Sequence, residues 1–194
     1  AWGLNLSNMG NKISYSKTAI RRDFIPTNFR IGPRFTLNLD DYNTFNFSLD
    51  INKLLVPTPP VYLRDTANNN APVYDEEGNP VVELGRDPNI SLVQGMIQSW
   101  YDAPYGFEEE LREFSFSLGV EYWYDKQFAI RGGFFYEDAT KGNRKFVTLG
   151  AGLRYNVFGL DLAYLIPLEQ QNPLENTLRF SLLFNFEKAA NLED

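Results

Sequence analysis

The chain has 194 residues, enough for one domain of moderate size, a formal net charge of −7, and neither cysteine nor histidine. Those two absences remove disulfides, thiolate zinc sites, thiol nucleophiles and the commonest general base, so composition speaks against an enzyme and calls for no cofactor or metal. The acidic balance speaks against a nucleic-acid partner, which needs a basic face.

Aromatic residues make up 15% of the chain, with 16 Phe and 11 Tyr, and the mean hydropathy is −0.35. No run of about 18 apolar residues occurs, so a transmembrane helix is not expected. Barrel strands need only about 10 alternating residues each, so this does not exclude a membrane.

The pattern is of period 2 from the start. Trp2, Leu4 and Leu6 alternate with polar residues, and a strand expected over 2–15 breaks at Asn8-Met9-Gly10. A polar connection follows, carrying Lys17, Arg21 and Arg22. The next strand places Phe29, Ile31, Phe35, Leu37 and Leu39 opposite Arg30, Arg34, Thr36, Asn38 and Asp40. After a tight turn at 40–43, Phe45, Phe47, Leu49 and Ile51 face away from Asn46, Ser48, Asp50 and Asn52.

Residues 56–110 break the alternation with Pro57, Pro59, Pro60, Asn68-Asn69-Asn70 and Glu76-Glu77-Gly78-Asn79-Pro80. They are expected to be a long loop without regular structure, apart from a short helix over 91–100 capped by Asn89 or Ser91. The loop closes on an aromatic knot, Trp100, Tyr101, Asp102, Pro104, Tyr105 and Phe107, ahead of Glu108, Glu109 and Glu110. Exposed clustered aromatics often mark a partner site, and the alternative is packing within the loop. Asp102 with the three glutamates resembles a carboxylate cluster, but the calcium-loop pattern is absent and a solvated acidic loop is expected.

Strands resume over 114–124, 128–137, 146–155, 160–166 and 178–186, ahead of a short acidic tail at 187–194. The last strand sets Leu178, Phe180, Leu182, Phe184 and Phe186 against Arg179, Ser181, Leu183 and Asn185. This makes eight strands joined by alternately long and short connections, as in an antiparallel transmembrane β-barrel. The same periodicity would serve a soluble barrel with its apolar face inward. Three features favour the membrane: apolar faces with almost no charge, polar faces of small and mixed-charge residues, and Tyr and Trp at strand ends (Tyr15, Tyr122, Trp123, Tyr124, Tyr136, Tyr155).

The polar faces carry Arg30, Arg34, Asp50, Glu121, Arg131, Glu137, Arg154, Asp161 and Arg179 toward a lumen. Such charges would gate a solute or bind an anionic head group, or simply pair with one another to fill the barrel. Mutual pairing is the preferred reading. The basic turn from Lys141 to Lys145 is a conceivable lipopolysaccharide contact, and more simply a solvated tip. Gly150 and Gly152 do not form a nucleotide loop, because no helix follows them.

Several motifs resemble the PorV (LptO) family of the type IX secretion system of Bacteroidetes. They are residues 119–137 (GVEYWYDKQFAIRGGFFYE), 141–146 (KGNRKF), 149–161 (LGAGLRYNVFGLD) and 172–180 (NPLENTLRF). Residues 102–111 (DAPYGFEEEL) and 6–15 (LSNMGNKISY) resemble it as well, with Tyr105 where the family pattern leads one to expect glycine. The resemblance implies a FadL-like barrel of about 14 strands, of which this chain would be the C-terminal part. It implies a bacterial outer-membrane location, with long loops such as 56–110 extracellular and both ends of the chain periplasmic. It also implies a non-enzymatic shuttle. The partners would be a SprA (Sov)-like translocon barrel, the C-terminal domains of secreted cargo, a PorU-like attachment peptidase and membrane lipopolysaccharide. Two alternatives stay open. A FadL-like transporter of hydrophobic molecules would use Phe135, Leu165 and Leu183 along its path. A lipid A deacylase or esterase would need the histidine that this chain lacks.

Overall fold

The computed structural model describes residues 1–14, 23–169 and 177–185. Tyr15, Phe186 and the tail 187–194 lie outside the described residues.

In chain order the elements are β1 (Trp2–Ser7), β2 (Asn28–Asn38), β3 (Asn43–Leu54), β4 (Val61–Tyr62), β5 (Arg64–Asp65), β6 (Ala71–Pro72) and β7 (Val82–Leu84). Then come α1 (Leu92–Gln98), α2 (Phe107–Arg112), β8 (Phe114–Tyr124), β9 (Phe128–Tyr136), β10 (Lys145–Tyr155), β11 (Phe158–Pro167) and β12 (Leu178–Phe184). One sheet of eight strands runs β1-β2-β3-β8-β9-β10-β11-β12, so every strand of the sheet lies beside its sequence neighbours. β1 and β12 are its two edges, and the sheet does not close into a barrel among the described residues.

Register keeps the apolar face continuous. Phe134, Ile130 and Phe128 of β9 sit opposite Val147, Ala151 and Leu153 of β10. Leu149, Ala151 and Leu153 of β10 in turn face Tyr164, Leu162 and Leu160 of β11, which face Leu178, Phe180 and Leu182 of β12. A slip of one residue would move all of them to the other side. Yet this face is not a core. Phe35, Leu37, Leu118, Ile130, Leu149, Phe180 and Leu182 are all exposed, and the buried hydrophobic residues among those described are Leu55, Ala129 and Leu165. A water-soluble sheet hides its apolar face, whereas a lipid-facing barrel wall presents it. Among the described residues no helix is long and apolar enough to cross a membrane.

Turn chemistry accounts for the short connections. Asp125 and Lys126 both take positive φ, of 49° and 53°, as a two-residue hairpin of matching twist requires. At 39–42 the Asp40 carboxylate accepts the backbone N–H groups of Tyr42 and Asn43.

Three expectations need correction. The strand expected over 2–15 ends at Ser7, where Asn8 turns to φ 58°. The loop expected to lack structure holds two short ladders, β4 with β7 and β5 with β6, and two helices. Its helix is confined to Leu92–Gln98 and is capped by Ser91, which exchanges hydrogen bonds with Gln94 in a capping box. The three glutamates are not a solvated loop either. They form the first turn of α2, where carboxylates suit the positive end of the helix, and Glu110 is buried.

By contact the chain divides into two compact units. One comprises Ala1–Leu4, Ile31–Asn52 and Ser115–Asp194, and the other Asn5–Arg30 and Lys53–Phe114.

Candidate functional site

The first unit carries a chain of alternating charges along the polar side of its strands. Glu121 and Arg131 face one another across β8 and β9, and Arg131 Nε donates to Glu121 Oε2 at 2.6 Å. Arg131 Nη1 reaches Asp161 Oδ1 on β11 at 2.7 Å, and Asp161 Oδ2 accepts from Arg154 Nη2 at 2.7 Å. Arg34 joins at 3.5 Å through Glu121 Oε1, which also accepts from Asn46 at 3.2 Å. The guanidinium groups of Arg131 and Arg154 lie 5.3 and 5.5 Å from the ring centre of Trp123. The stripe therefore runs Arg34, Glu121, Arg131, Asp161, Arg154, with charges of alternating sign.

Glycine makes the stripe possible. A Cβ at Gly152 would stand 2.7 Å from Asp161 Oδ1 and 2.8 Å from Arg131 Nη1. The glycines noticed in the sequence thus leave room for a guanidinium between strands. Of the other expected lumen charges, Arg179 is exposed on β12 and Asp50 is half-buried on β3. Glu137 is buried and holds Arg144 in a two-pronged pair at 2.7 Å on each arm. Arg30 is exposed and belongs to the second unit.

The second unit divides the aromatic knot. Trp100 packs edge-on against Phe29 at 5.7 Å and tilts against Phe114 at 6.1 Å. Asp102 is 1% exposed. Pro104 is half-buried, and a Cβ at Gly85 would meet it at 3.2 Å. Tyr101, Tyr105 and Phe107 instead face outward, Phe107 at 75% exposure. Gly106 between the last two holds φ 81°, a turn that a side chain would strain. The Tyr105 N–H is anchored on Glu109 at 3.0 Å, and Arg86 lies over the Tyr101 ring at 4.6 Å.

The same unit holds an ion cluster that alternation alone did not reveal. Lys53, whose side chain is wholly buried, donates to Glu110 Oε1 at 2.8 Å and to Glu113 Oε2 at 2.7 Å. Its ammonium group sits 5.1 Å from the Phe114 ring centre and 5.7 Å from that of Trp100. Glu113 Oε1 accepts the Thr58 hydroxyl at 2.6 Å, and Glu110 Oε2 accepts the Ala103 N–H at 3.1 Å. Asp102 Oδ2 accepts the Thr58 N–H at 3.1 Å, while Asp102 Oδ1 is buried without a partner. Burial pushes the Asp102 carboxyl above its ordinary value. Nearby Glu110 and Glu113 add to that, and the hydrogen bonds from Thr58 oppose it. A signal for Lys53 was present in the sequence: by parity it continues the face of Phe45, Phe47, Leu49 and Ile51, where a bare charge would meet hydrocarbon.

An apolar groove of about 540 Å³ also opens in this unit, between Met9-Gly10-Asn11 and the Leu92, Val93, Met96 and Ile97 side of α1. Among the described residues no group of acidic side chains is placed to hold a metal ion.

Comparison with known proteins gives one family and no curated relative. No curated protein matches the chain. The family model described as "Type IX secretion system protein PorV" matches residues 1–61, which span β1, β2, β3 and the entry into the insertion. The antiparallel eight-stranded sheet with its exposed apolar face is consistent with an outer-membrane β-barrel. Over residues 1–61 the chain is therefore similar to the PorV family of type IX secretion system proteins.

Proposed function

We propose that this chain acts without catalysis, as an outer-membrane shuttle of the type IX secretion system. It receives cargo from a SprA (Sov)-like translocon barrel and delivers it to a PorU-like attachment peptidase at the cell surface. The family match supports the secretion role. The observation that carries the shuttle reading is the exposed set Tyr101, Tyr105 and Phe107, raised on an insertion whose base is fixed by a buried ion cluster. Rigid aromatic rings on a supported loop are the usual anchors of protein recognition. The insertion lies on the extracellular side in this reading, both ends of the chain face the periplasm, and lipopolysaccharide surrounds the outer rim. The barrel is FadL-like and its source a member of the Bacteroidetes. The paired stripe Arg34, Glu121, Arg131, Asp161 and Arg154 fills the interior and takes no part in chemistry.

Purification of the native protein from outer membranes in mild detergent, with mass spectrometry of what accompanies it, tests the proposal. A very large barrel protein or secreted cargo is expected. A lone barrel carrying only lipid would overturn it.

The groove of Met9, Leu92, Val93, Met96 and Ile97 favours a second reading, transport of hydrophobic small molecules in the manner of FadL. Along the interior, Phe135 is stacked on Phe146 at 4.8 Å, Leu165 is buried and Leu183 is exposed. Bound fatty acid in the purified protein, with no protein partner, is the outcome that favours this reading.

A further inference from the structure

The insertion leaves the sheet after β3 and returns at β8, and its outgoing limb is tied to its returning limb by the β4–β7 ladder and by the contacts around Lys53 and Thr58. Thr58 on the outgoing limb is one anchor. Its backbone N–H is held by Asp102 and its hydroxyl by Glu113, both on the returning limb. The groups facing Asp102 and Thr58 are Glu110 from α2, Glu113 from the helix end and Lys53 from β3. Lys53 is the one cation among them, and it pairs with both glutamates. An ionised Asp102 would therefore be a third carboxylate beside a single ammonium group, with one oxygen buried and unpartnered. Leaving a buried charge unsatisfied is strongly unfavourable.

We propose that the Asp102–Thr58 contact is a proton-dependent latch on the insertion, closed when Asp102 carries a proton and loosened when it ionises.

Two effects compete in the ionised state. The Thr58 N–H bonds a carboxylate more strongly than a neutral acid. Burial and the two glutamates act against the charge, and burial is the largest of these causes. Ionisation is relieved when the limbs part and water reaches Oδ1. The direction follows from linkage. Asp102 binds its proton more tightly in the folded chain than in the unfolded one. Its contribution to stability is whole below the ordinary aspartate range and is lost as pH rises through the raised value. Acid closes the latch, and a rise of pH through the raised value loosens it. The exposed rings of Tyr101 and Tyr105 flank Asp102 in sequence, so the latch controls how firmly they are presented. The latch rests on this cluster alone and stands whichever transport reading holds.

Hydrogen exchange of the Thr58 amide in the purified full chain in detergent, corrected for the intrinsic pH dependence of exchange, reads the latch directly. Between the ordinary aspartate range and the raised value, wild-type protection at Thr58 is expected to fall by up to about tenfold per pH unit, the effect of one linked proton, and to level off above it. Asp102→Asn, neutral at every pH, is expected to hold its protection constant over the same range. Glu113→Gln removes one neighbouring negative charge and is expected to move the wild-type fall to lower pH. That variant decides the matter if Asp102→Asn does not fold. A wild-type profile that is flat, an Asp102→Asn profile that follows the wild type, or a fall that Glu113→Gln leaves in place would each overturn the latch.

Discussion

The strand stripe and the cluster beneath the insertion use the same kinds of residues under opposite solvation. Along the stripe the arginines keep contact with solvent, from 28% side-chain exposure at Arg131 to 57% at Arg34. Each inner charge has an opposite on both sides, so losing one leaves its neighbours partly paired or hydrated. In the cluster Lys53 has no exposure, and two glutamates depend on it. The stripe is redundant and wet, the cluster singular and dry. The ion-pair distances are similar in both, and what differs is solvation and with it the cost of leaving a partner behind.

The largest effect that sharpens this contrast is expected at Lys53. Lys53→Met keeps most of the apolar stem and strands Glu110 and Glu113, a loss of about 3–5 kcal/mol. Hydrogen exchange should localise the loosening to residues 53–113 and spare β9, β10 and β11. At Arg131 the corresponding change, Arg131→Gln, should cost about 1–3 kcal/mol, because Glu121 keeps Arg34 and Asn46 while Asp161 keeps Arg154. Thermal unfolding of the two variants side by side checks the order, and equal losses would break the comparison.

Space matters as much as charge along the stripe. Gly152→Val places carbon where Asp161 and Arg131 now meet, and overpacking of about 1–3 kcal/mol is expected from the same unfolding measurement. The smallest effect on stability belongs to the exposed rings. Phe107→Ser should change unfolding by no more than about 0.5 kcal/mol. It should nevertheless reduce recovery of the translocon barrel or cargo in co-purification, if the rings are the anchors proposed above.

Much of the strand architecture was legible because each strand alternates on its own. Leu149, Ala151 and Leu153 declare a face without any knowledge of what lies beside them. The partners of a charge are not local, however. Glu121, Arg131 and Asp161 could be placed on the polar face, but their meeting depends on the registers of three strand pairs together. The insertion was less legible for a related reason. Its ladders are two or three residues long, too short for periodicity, and they are held by turn geometry at Asp65 and Asp75, whose carboxylates accept backbone N–H groups within the loop. The run Glu108-Glu109-Glu110 reads as surface because it is charged. Only the fold reveals that one of the three pairs with a buried lysine, and Lys53 itself was the break in an otherwise uncharged face.

The central claim is the sidedness of the sheet, with its apolar face in lipid and its charges within. Because the chain lacks cysteine, single cysteines placed in turn at Thr148, Leu149, Gly150, Ala151, Gly152 and Leu153 can carry a spin label in lipid bilayers. Collision rates with oxygen, which concentrates in hydrocarbon, and with a water-soluble nickel complex then report each position. The account predicts alternation, with oxygen dominating at Leu149, Ala151 and Leu153 and nickel at Thr148, Gly150 and Gly152. A reversed pattern, or none, would contradict it.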